Sequence, residues 1–553
     1  MMLTSKGIIE TLKTKFGKQV LKAEEKVSNQ VFVTITSDAL VPVVSYLKQV
    51  LSSRFLINAA TDAVQHDGKY LVFYIFSFDR EKIFLCIQVA VDSTEPQIDS
   101  ITPIIAGANW SERETRDLVG IDLRNHPDPR RLILADDWPE GVYPLRKDFP
   151  YDYRPPSEPQ NKVPLKKPPK GTKVIPIGPF YPVLEEPAYF KLFVDGETIV
   201  DCDYRGFYSH RGIEKIAESK LTYNQICFIA ERICGICGFI HSTCYCEAVE
   251  RAAGIEVPLR AHYIRTIMLE LERIHSHLLW LGIAVHIIGF DTLLMQSWRI
   301  REPVMWLCEK ISGNRKTYGM NLIGGVRRDI PSGIHDEIIR VIEKIERETL
   351  EVVDAVVDDT SLHLRLKDVG ILTEEVARSI CTVGPTVRGS NIPIDSRVDH
   401  PYAAYDLIDF KVAVESGCDI WSRTLVRLKE TIEAVKIIKQ CLLEMPAGPI
   451  MGEVMEEIPP GLEAMCCVEA PRGEAIHYVQ TGQDNRPYRW RVRAPTYANL
   501  QCVPYIIKGQ QIADVPIIIG SLDPCYSCTE RMAVVDVKAG TEKIYRKEEI
   551  IKR

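Results

Sequence analysis

Residues 232–241 read RICGICGFIH. Cys234 and Cys237 are separated by a glycine and an isoleucine, and His241 stands four residues beyond the second thiol. Thiols at this spacing can form a disulfide, half of a zinc site or half of another metal centre, and the rest of the chain has to choose. The chain has 553 residues, 16 of them cysteine. Its start, MMLTSKGIIETLKTKFG, predicts an amphipathic helix and lacks the apolar run and small-residue cleavage site of a signal peptide. No stretch approaches the ~20 apolar residues of a membrane-spanning helix. The expected compartment is therefore the cytoplasm, where disulfides are a poor default and metal or redox roles gain weight.

A second pair lies in SLDPCYSCTERM (521–532), with Cys525 and Cys528. Four thiolates suit a soft or borderline metal, whereas carboxylates suit magnesium or calcium. Spacing alone leaves open a tetrahedral zinc site and a closed [4Fe–4S] cluster. Two features weigh against plain zinc. Both pairs lie in large apolar surroundings rather than in a short ribbon. Ionisable residues also stand in distinctive contexts, HRGIEK at 210–215 and EAPRGE at 469–474. The other cysteines read mainly as small buried hydrophobes. Cys86, Cys308, Cys381, Cys418 and Cys441 sit singly in apolar-periodic stretches, and the pairs Cys244/Cys246 and Cys466/Cys467 are poorly placed to chelate if helical.

With 46% hydrophobic residues, the chain can bury the cores of two or more domains. A net charge of −7 makes no general case for nucleic-acid binding. Residues 31–100 alternate strand-like runs (VFVTIT, YLVFYIFSF, IFLCIQVAV) with helical segments and predict a small α+β domain. A proline-dense stretch excludes helix and marks a boundary. Strands are expected near YFKLFVDGETIVDCDY, and then helical patterns dominate. These run from about Tyr223 to Ala253, through LRAHYIRTIMLELERIHSHLLWLGIAV, through DEIIRVIEKIERETLEVVDAVV, and from about Asp406 to Met445. In the last, Leu425, Leu428, Ile432, Val435 and Leu442 recur as one buried face requires. The expected fold class is α+β: a small N-terminal α+β domain (1–155), a Pro-rich linker (156–185), and a large mainly α domain (186–531) with long core helices and small sheets.

RICGIC together with DPCYSC resembles the two metal-binding motifs of the nickel–iron hydrogenase large subunit. HRGIEKIAE, LERIHSHLLWLG, GGVRRD, GPTVRGSNIP, HPYAAYD and RAPT resemble the branch related to the 49-kDa subunit of complex I. WSERETRDLVGIDLRNHPDPRRL and PLRKDFP resemble the complex I 30-kDa subunit, here fused ahead of the catalytic domain. Such a fusion is typical of energy-converting, membrane-bound hydrogenases of formate hydrogenlyase type. The resemblance covers almost the whole chain.

It implies reversible formation of H2 from protons and electrons at a nickel held by Cys234, Cys237, Cys525 and Cys528. Cys237 and Cys528 would bridge to an Fe(CO)(CN)2 unit, and Cys234 and Cys525 would be terminal on nickel. The metal pair would take hydride, and the Cys525 thiolate would take the proton. Glu214 matches the proton-relay glutamate, with a pKa expected to be raised by an apolar pocket. Arg472 matches the arginine over the metals, next to Pro471, and Thr496 the hydroxyl that donates to a cyanide. Asp523 would pair with Arg472. Many hydrogenases carry a metal-binding histidine where this chain has Arg531, which has no lone pair to give, so no extra metal is carried over. His241 reads equally as a donor behind the ligands or as a packed core histidine.

The segment 532–553 resembles a C-terminal propeptide removed by a nickel-dependent maturation endopeptidase. Implied partners are a small subunit with a [4Fe–4S] cluster, a ferredoxin-like subunit and membrane antiporter-like subunits, which would hold the chain peripherally on the inner face of the cell membrane. The rival readings are a quinone-reducing subunit of complex I type, which lacks the four cysteines, and a structural zinc scaffold.

Overall fold

The computed structural model describes residues 3–158, 160, 164, 166–178 and 188–526, and the backbone of 529–530, 533–536 and 541–544. Cys528, Arg531 and much of 532–553 lie outside the described residues.

The N-terminal helix α1 (Ser5–Phe16) is present, capped by the Thr4 side chain on Gly7 N–H. A five-stranded sheet follows: β1 (Val20–Val27), β2 (Gln30–Ile35), β3 (Arg54–Ala63), β4 (Lys69–Phe78) and β5 (Ile83–Asp92), in the order β1-β2-β5-β4-β3. Only the β2–β5 pair within it is parallel. Helix α2 (Leu40–Gln49) supplies the core with Val43, Val44 and Leu47. Strand β4 is an almost unbroken apolar run because both of its faces are covered. Val72, Tyr74 and Phe76 face the domain's own core, while Phe73 and Ile75 face the second domain. Helix α3 (Asn109–Val119) closes this domain and buries Trp110 and Glu114.

The proline-dense stretch is not purely a linker. Residues Lys173–Ile177 form β6, an edge strand paired with β7 (Tyr189–Asp195), which in turn pairs with β8 (Thr198–Arg205). Pro176 is tolerated there because an edge strand has a side that makes no ladder bonds.

The second domain is built on long helices. The single helix expected from Tyr223 to Ala253 is in fact two, α5 (Tyr223–Glu231) and α6 (Gly238–Ala253), interrupted by the first cysteine pair; α4 (Ile213–Lys220) precedes them. Helix α7 (Leu259–Ile287) runs through the core. It packs against α8 (Asp291–Ser312) and against α10 (Ile420–Glu444), while α9 (His335–Asp358) lies on α8. Helix α10 begins at Ile420 rather than near Asp406, because the Asp419 carboxylate caps it through Ser422 N–H.

Several buried charges on these helices are ion-paired, while Arg427 is held by the carbonyls of Arg423 and Ser521. Arg265 forks onto Glu250 at 2.9 and 2.7 Å. A three-stranded antiparallel sheet, β9 (Glu463–Ala470), β10 (Gly473–Thr481) and β11 (Pro487–Arg493), lies between α6 and the N-terminal sheet. It leads into the short helix α11 (Pro495–Asn499).

Cys86, Cys308 and Cys441 are buried as expected. Cys381 and Cys418 differ: both are half-buried and sit at φ +58° and +62°, at a helix end and a bend rather than on a packed helix face. Cys466 and Cys467 lie on strand β9, so they face opposite ways, Cys466 into the main core and Cys467 toward the N-terminal sheet.

Candidate metal centre

The turn between α5 and α6 explains why the helix breaks. Residues 232–237 leave helical geometry, so the backbone N–H groups of Ile236 and Cys237 turn onto Cys234 Sγ, at 3.4 and 3.3 Å. The Tyr318 hydroxyl holds the Cys234 carbonyl at 3.1 Å. Helix α6 then starts at Gly238, and its first free N–H groups, Phe239 and Ile240, each donate at 3.1 Å to the buried carboxylate of Glu272 on α7. Burial pushes Glu272 up to about 8 despite these donors and the Thr317 hydroxyl.

The structure brings the two motifs together across the chain: Cys234 Sγ lies 3.2 Å from Cys525 Sγ. Cys234, Cys237 and Cys525 are all buried. The neighbouring Cys237 thiol, together with burial, holds the Cys234 thiol well above the usual range. A thiolate there therefore needs a cation beside it. Among the described residues no group of three or more His, Cys, Asp or Glu side chains gathers as a complete metal cage. The fourth sequence-predicted ligand, Cys528, lies outside them.

Arg472 stands at the tip of a two-residue hairpin. Ala470 pairs with Gly473, so Pro471 and Arg472 form the turn between β9 and β10. Three guanidinium nitrogens are held: Nε on Asp523 O at 2.7 Å, Nη2 on Asp523 Oδ1 at 2.7 Å, and Nη1 on Ser276 Oγ at 3.2 Å. Burial opposes this charge, but Asp523 and then Cys525, Cys234 and Cys237 favour it. Asp523 adopts φ +53° immediately before Pro524 and Cys525. Such a conformation in a non-glycine residue is strained and needs surrounding contacts to persist, which Arg472 supplies twice. Thr496 accepts from Cys525 N–H at 3.2 Å, leaving its own hydroxyl hydrogen to donate elsewhere. The sequence-predicted Arg472, Pro471, Asp523, Thr496 and Cys525 are thus assembled in one place.

Glu214 is buried on the first turn of α4, but its surroundings are not apolar. Its Oε2 accepts from Arg489 at 2.7 Å, and its Oε1 accepts from Arg491 at 3.2 Å and from Val492 N–H at 3.1 Å. Burial alone would raise its pKa; the two guanidinium groups outweigh burial and hold it below the usual carboxylate range. The expected upward shift is therefore corrected. A cavity of about 90 Å³ joins Glu214 to Cys525 and Thr496.

His241 is fully buried, with Nδ1 3.1 Å from His477 Nε2. Trp490 Nε1–H donates to His477 Nδ1 at 3.2 Å. That donor fixes both tautomers, so His477 donates to His241, whose own Nε2–H has no partner among the described residues. Burial holds His241 neutral, pushing it down to about 4.

Sequence reasoning missed Ser276, Arg489 and Arg491. A signal for the last two was present in RWRVRAPT: Arg489, Arg491 and Arg493 alternate, as one face of a strand requires. All three are buried, and each meets a carboxylate.

Comparison with known proteins gives the chain's family. The family described as "Respiratory-chain NADH dehydrogenase, 49 Kd subunit" matches residues 288–461 and 453–531. "Respiratory-chain NADH dehydrogenase, 30 Kd subunit" matches 33–155, and "Nickel-dependent hydrogenase" matches 211–287. The chain is 43% identical to formate hydrogenlyase subunit 5 of Escherichia coli K12, covering 97% of this chain and 95% of that one. It is 41% identical to hydrogenase-4 component G of the same strain, over 98% and 96% of the two chains. It is 39% identical to the carbon monoxide-induced hydrogenase of Rhodospirillum rubrum, over 65% of this chain and 100% of that one. Fold and site together define the class of large subunits common to nickel-dependent hydrogenases and complex I, with the 30-kDa unit fused in front. Within that class the chain belongs to the complex I-related nickel-dependent hydrogenase family, as the oxidoreductase subunit that carries the hydrogenase activity.

Proposed function

We propose that this chain forms and splits H2 at a nickel–Fe(CO)(CN)2 centre held by Cys234, Cys237, Cys525 and Cys528, in a membrane-associated complex that evolves H2 as it oxidises formate, carbon monoxide or reduced ferredoxin. The observation that carries this reading is the approach of Cys234 Sγ to Cys525 Sγ at 3.2 Å beside the Arg472 guanidinium. The residues fit such a group: buried sulfurs from two distant segments, a fixed cation beside them and a hydroxyl with a hydrogen to give. When bound, the metal pair supplies the electron-pair acceptor that heterolysis of H2 needs.

The chain's own residues do the rest. Cys525 sulfur receives the proton, and Glu214, on the same cavity and kept as a carboxylate by its arginines, takes it on. Thr496 would donate its hydroxyl hydrogen to one cyanide and Arg472 would serve the other, because cyanide nitrogens in a dry site need donors. Pro471 shapes the turn that presents Arg472, and Asp523 balances its charge.

Electrons arrive through a small subunit with a [4Fe–4S] cluster and a ferredoxin-like subunit. Antiporter-like membrane subunits hold the complex at the inner face of the membrane and couple turnover to ion translocation. Among the described residues no helix is long and apolar enough to cross a membrane, in keeping with peripheral attachment. A maturation endopeptidase removes 532–553, and the match of the 49-kDa family ending at 531 supports that boundary.

The test is metal analysis and infrared spectroscopy of the processed enzyme. Nickel and iron in equal amounts, carbonyl and cyanide bands and a C-terminus at Arg531 are expected. Cys→Ser at any of the four positions should abolish H2 turnover, while Cys381→Ser should be nearly silent. Zinc in place of nickel, or full activity after Cys528→Ser, would sink the assignment.

A further inference from the structure

The N-terminal domain reaches into the catalytic cavity. Helix α3 places Trp110 and Glu114, one helical turn apart, on the wall of the cavity that Cys525, Thr496 and Glu214 also line. Trp110 is fixed by stacking on Tyr204 at 5.3 Å and by an edge contact with Tyr497 at 5.7 Å. Glu114 is buried, and both its oxygens accept from Arg491, Oε1 from Nη1 and Oε2 from Nη2, each at 2.6 Å. Its Oε2 also accepts the Tyr497 hydroxyl at 2.7 Å. The same Arg491 Nη1 reaches Glu214 Oε1 at the longer distance of 3.2 Å. One guanidinium is thus shared by two carboxylates from different domains, and it sits closer to the N-terminal one.

We infer that Glu114 is a positioning residue for proton transfer: by holding Arg491 in a two-point pair, the N-terminal domain limits how firmly that guanidinium fixes Glu214 as a carboxylate. The inference rests on the reading of Glu214 as the group that exchanges a proton with Cys525. In that step the S–H bond breaks, an O–H bond forms on Glu214, and no electron moves. A carboxylate that never protonates cannot carry the proton, so the hold of its cations has to be bounded.

His210 and Arg211 line the same cavity as Glu214, and the charged side chains bonded around it come from several elements. Arg489 and Arg491 come from β11, Glu218 from its own helix and Glu114 from α3. Lys147, from the segment after α3, pairs with Glu218 at 2.7 Å. Arg489 is divided between Glu214 and Glu218 at 2.7 and 2.9 Å, just as Arg491 is divided between Glu214 and Glu114. Removal of the Glu114 charge leaves Arg491 to Glu214 alone. An opposite charge at this range lowers a carboxyl pKa by about 1–3 units, and the released share should be about one unit.

The experiment uses the complete metal-loaded enzyme with its partner subunits. Difference infrared spectroscopy follows the protonated-carboxyl band that disappears in Glu214→Gln, titrated against pH, alongside D2/H2O exchange. Glu114→Gln keeps the size and should keep the carbonyl and cyanide bands. Its Glu214 band should titrate about one pH unit lower, and exchange at neutral pH should fall about tenfold, in proportion to the protonated fraction. Glu114→Asp keeps the charge but draws it back by one methylene, so it should shift the band the same way by less. An unchanged Glu214 titration in Glu114→Gln would overturn the inference, as would an unchanged titration in Glu114→Asp if the Gln variant does not assemble. Normal exchange in Glu214→Gln would instead overturn the relay reading; the band shift in Glu114→Gln is read without turnover, so the two failures are distinct.

Discussion

Glu214 shows how one neighbour reverses a sequence-based expectation. A carboxyl in an apolar pocket is pushed up, and that expectation came from the resemblance at HRGIEK. Arg489 and Arg491 are distant in sequence but adjacent in space, and they overcome the burial cost. The sign for stability follows. The folded pKa lies below the ordinary value of 4.5, so the group's contribution is complete above that value and is lost as pH falls through the folded one. In the proposed mechanism Glu214, present as a carboxylate, would take the proton that leaves Cys525 when H2 is split. Glu214→Gln keeps the side-chain size and one acceptor oxygen but cannot take a proton. Turnover should fall by about 10²–10⁴-fold, with nickel content and infrared bands unchanged. Loss of nickel along with turnover would make Glu214 a structural residue, and unchanged turnover would route the proton elsewhere.

At the scale of elements, the turn at 232–237 and the hairpin at 470–473 carry the site, and they differ in how readable they were. The cysteine spacing was legible, though spacing alone left the metal open. The break it forces was not, because hydrophobic periodicity runs through Tyr223–Ala253 without a proline. Only the backbone donors that turn onto Cys234 Sγ reveal why the helix stops. The long helices α7 and α9 were legible for the opposite reason: nothing interrupts their pattern. The sheet formed by β9, β10 and β11 was not located, since β9 and β10 are buried almost throughout, and only the alternating arginines of β11 carried a signal.

The hairpin tip is fixed by a close approach. Gly473 has φ +127°, and a Cβ there would lie 2.7 Å from Gly384 N and from Val383 C. Asn499 ties the same two segments, donating to Val383 O at 3.1 Å and to Arg472 O at 3.2 Å. Gly473→Ala combines backbone strain with overpacking, and should cost about 2–4 kcal/mol in denaturant unfolding of the full chain. Gly461→Ala, at φ +83° with nothing within 4 Å of its Cβ, should cost only the strain, about 1 kcal/mol. Equal losses for the two would mean that the approach to Gly384 is not a constraint.

For the whole molecule, the question is whether the fused N-terminal domain is a tethered appendage or part of one body. The contacts are those of a packed interior. Phe73 and Tyr478 rings lie 5.2 Å apart across the two sheets, and Gln30 exchanges hydrogen bonds with Met465 N and O, both at 2.9 Å. Arg54 is the polar centre of this face. It donates to Asp79 at 2.9 and 2.8 Å within its own domain and to Glu474 at 3.0 and 2.8 Å in the other. Burial raises both carboxylates, but Arg54, joined at Glu474 by Arg493, outweighs it and holds both below their ordinary values. Arg54→Ala leaves Asp79 without its guanidinium and Glu474 with Arg493 alone. Breaking a buried pair this way costs about 3–5 kcal/mol, seen as a lower Tm at neutral pH. Because the folded pKa values are depressed, the contribution of these pairs is complete above the ordinary values of 3.8 and 4.5 and fades as pH falls below them. The Tm gap between wild type and Arg54→Ala should therefore be widest near neutrality and should narrow in acid. Calorimetry across pH checks both parts, and a gap that stays constant into acid would show that Arg54 acts through packing rather than through its charge.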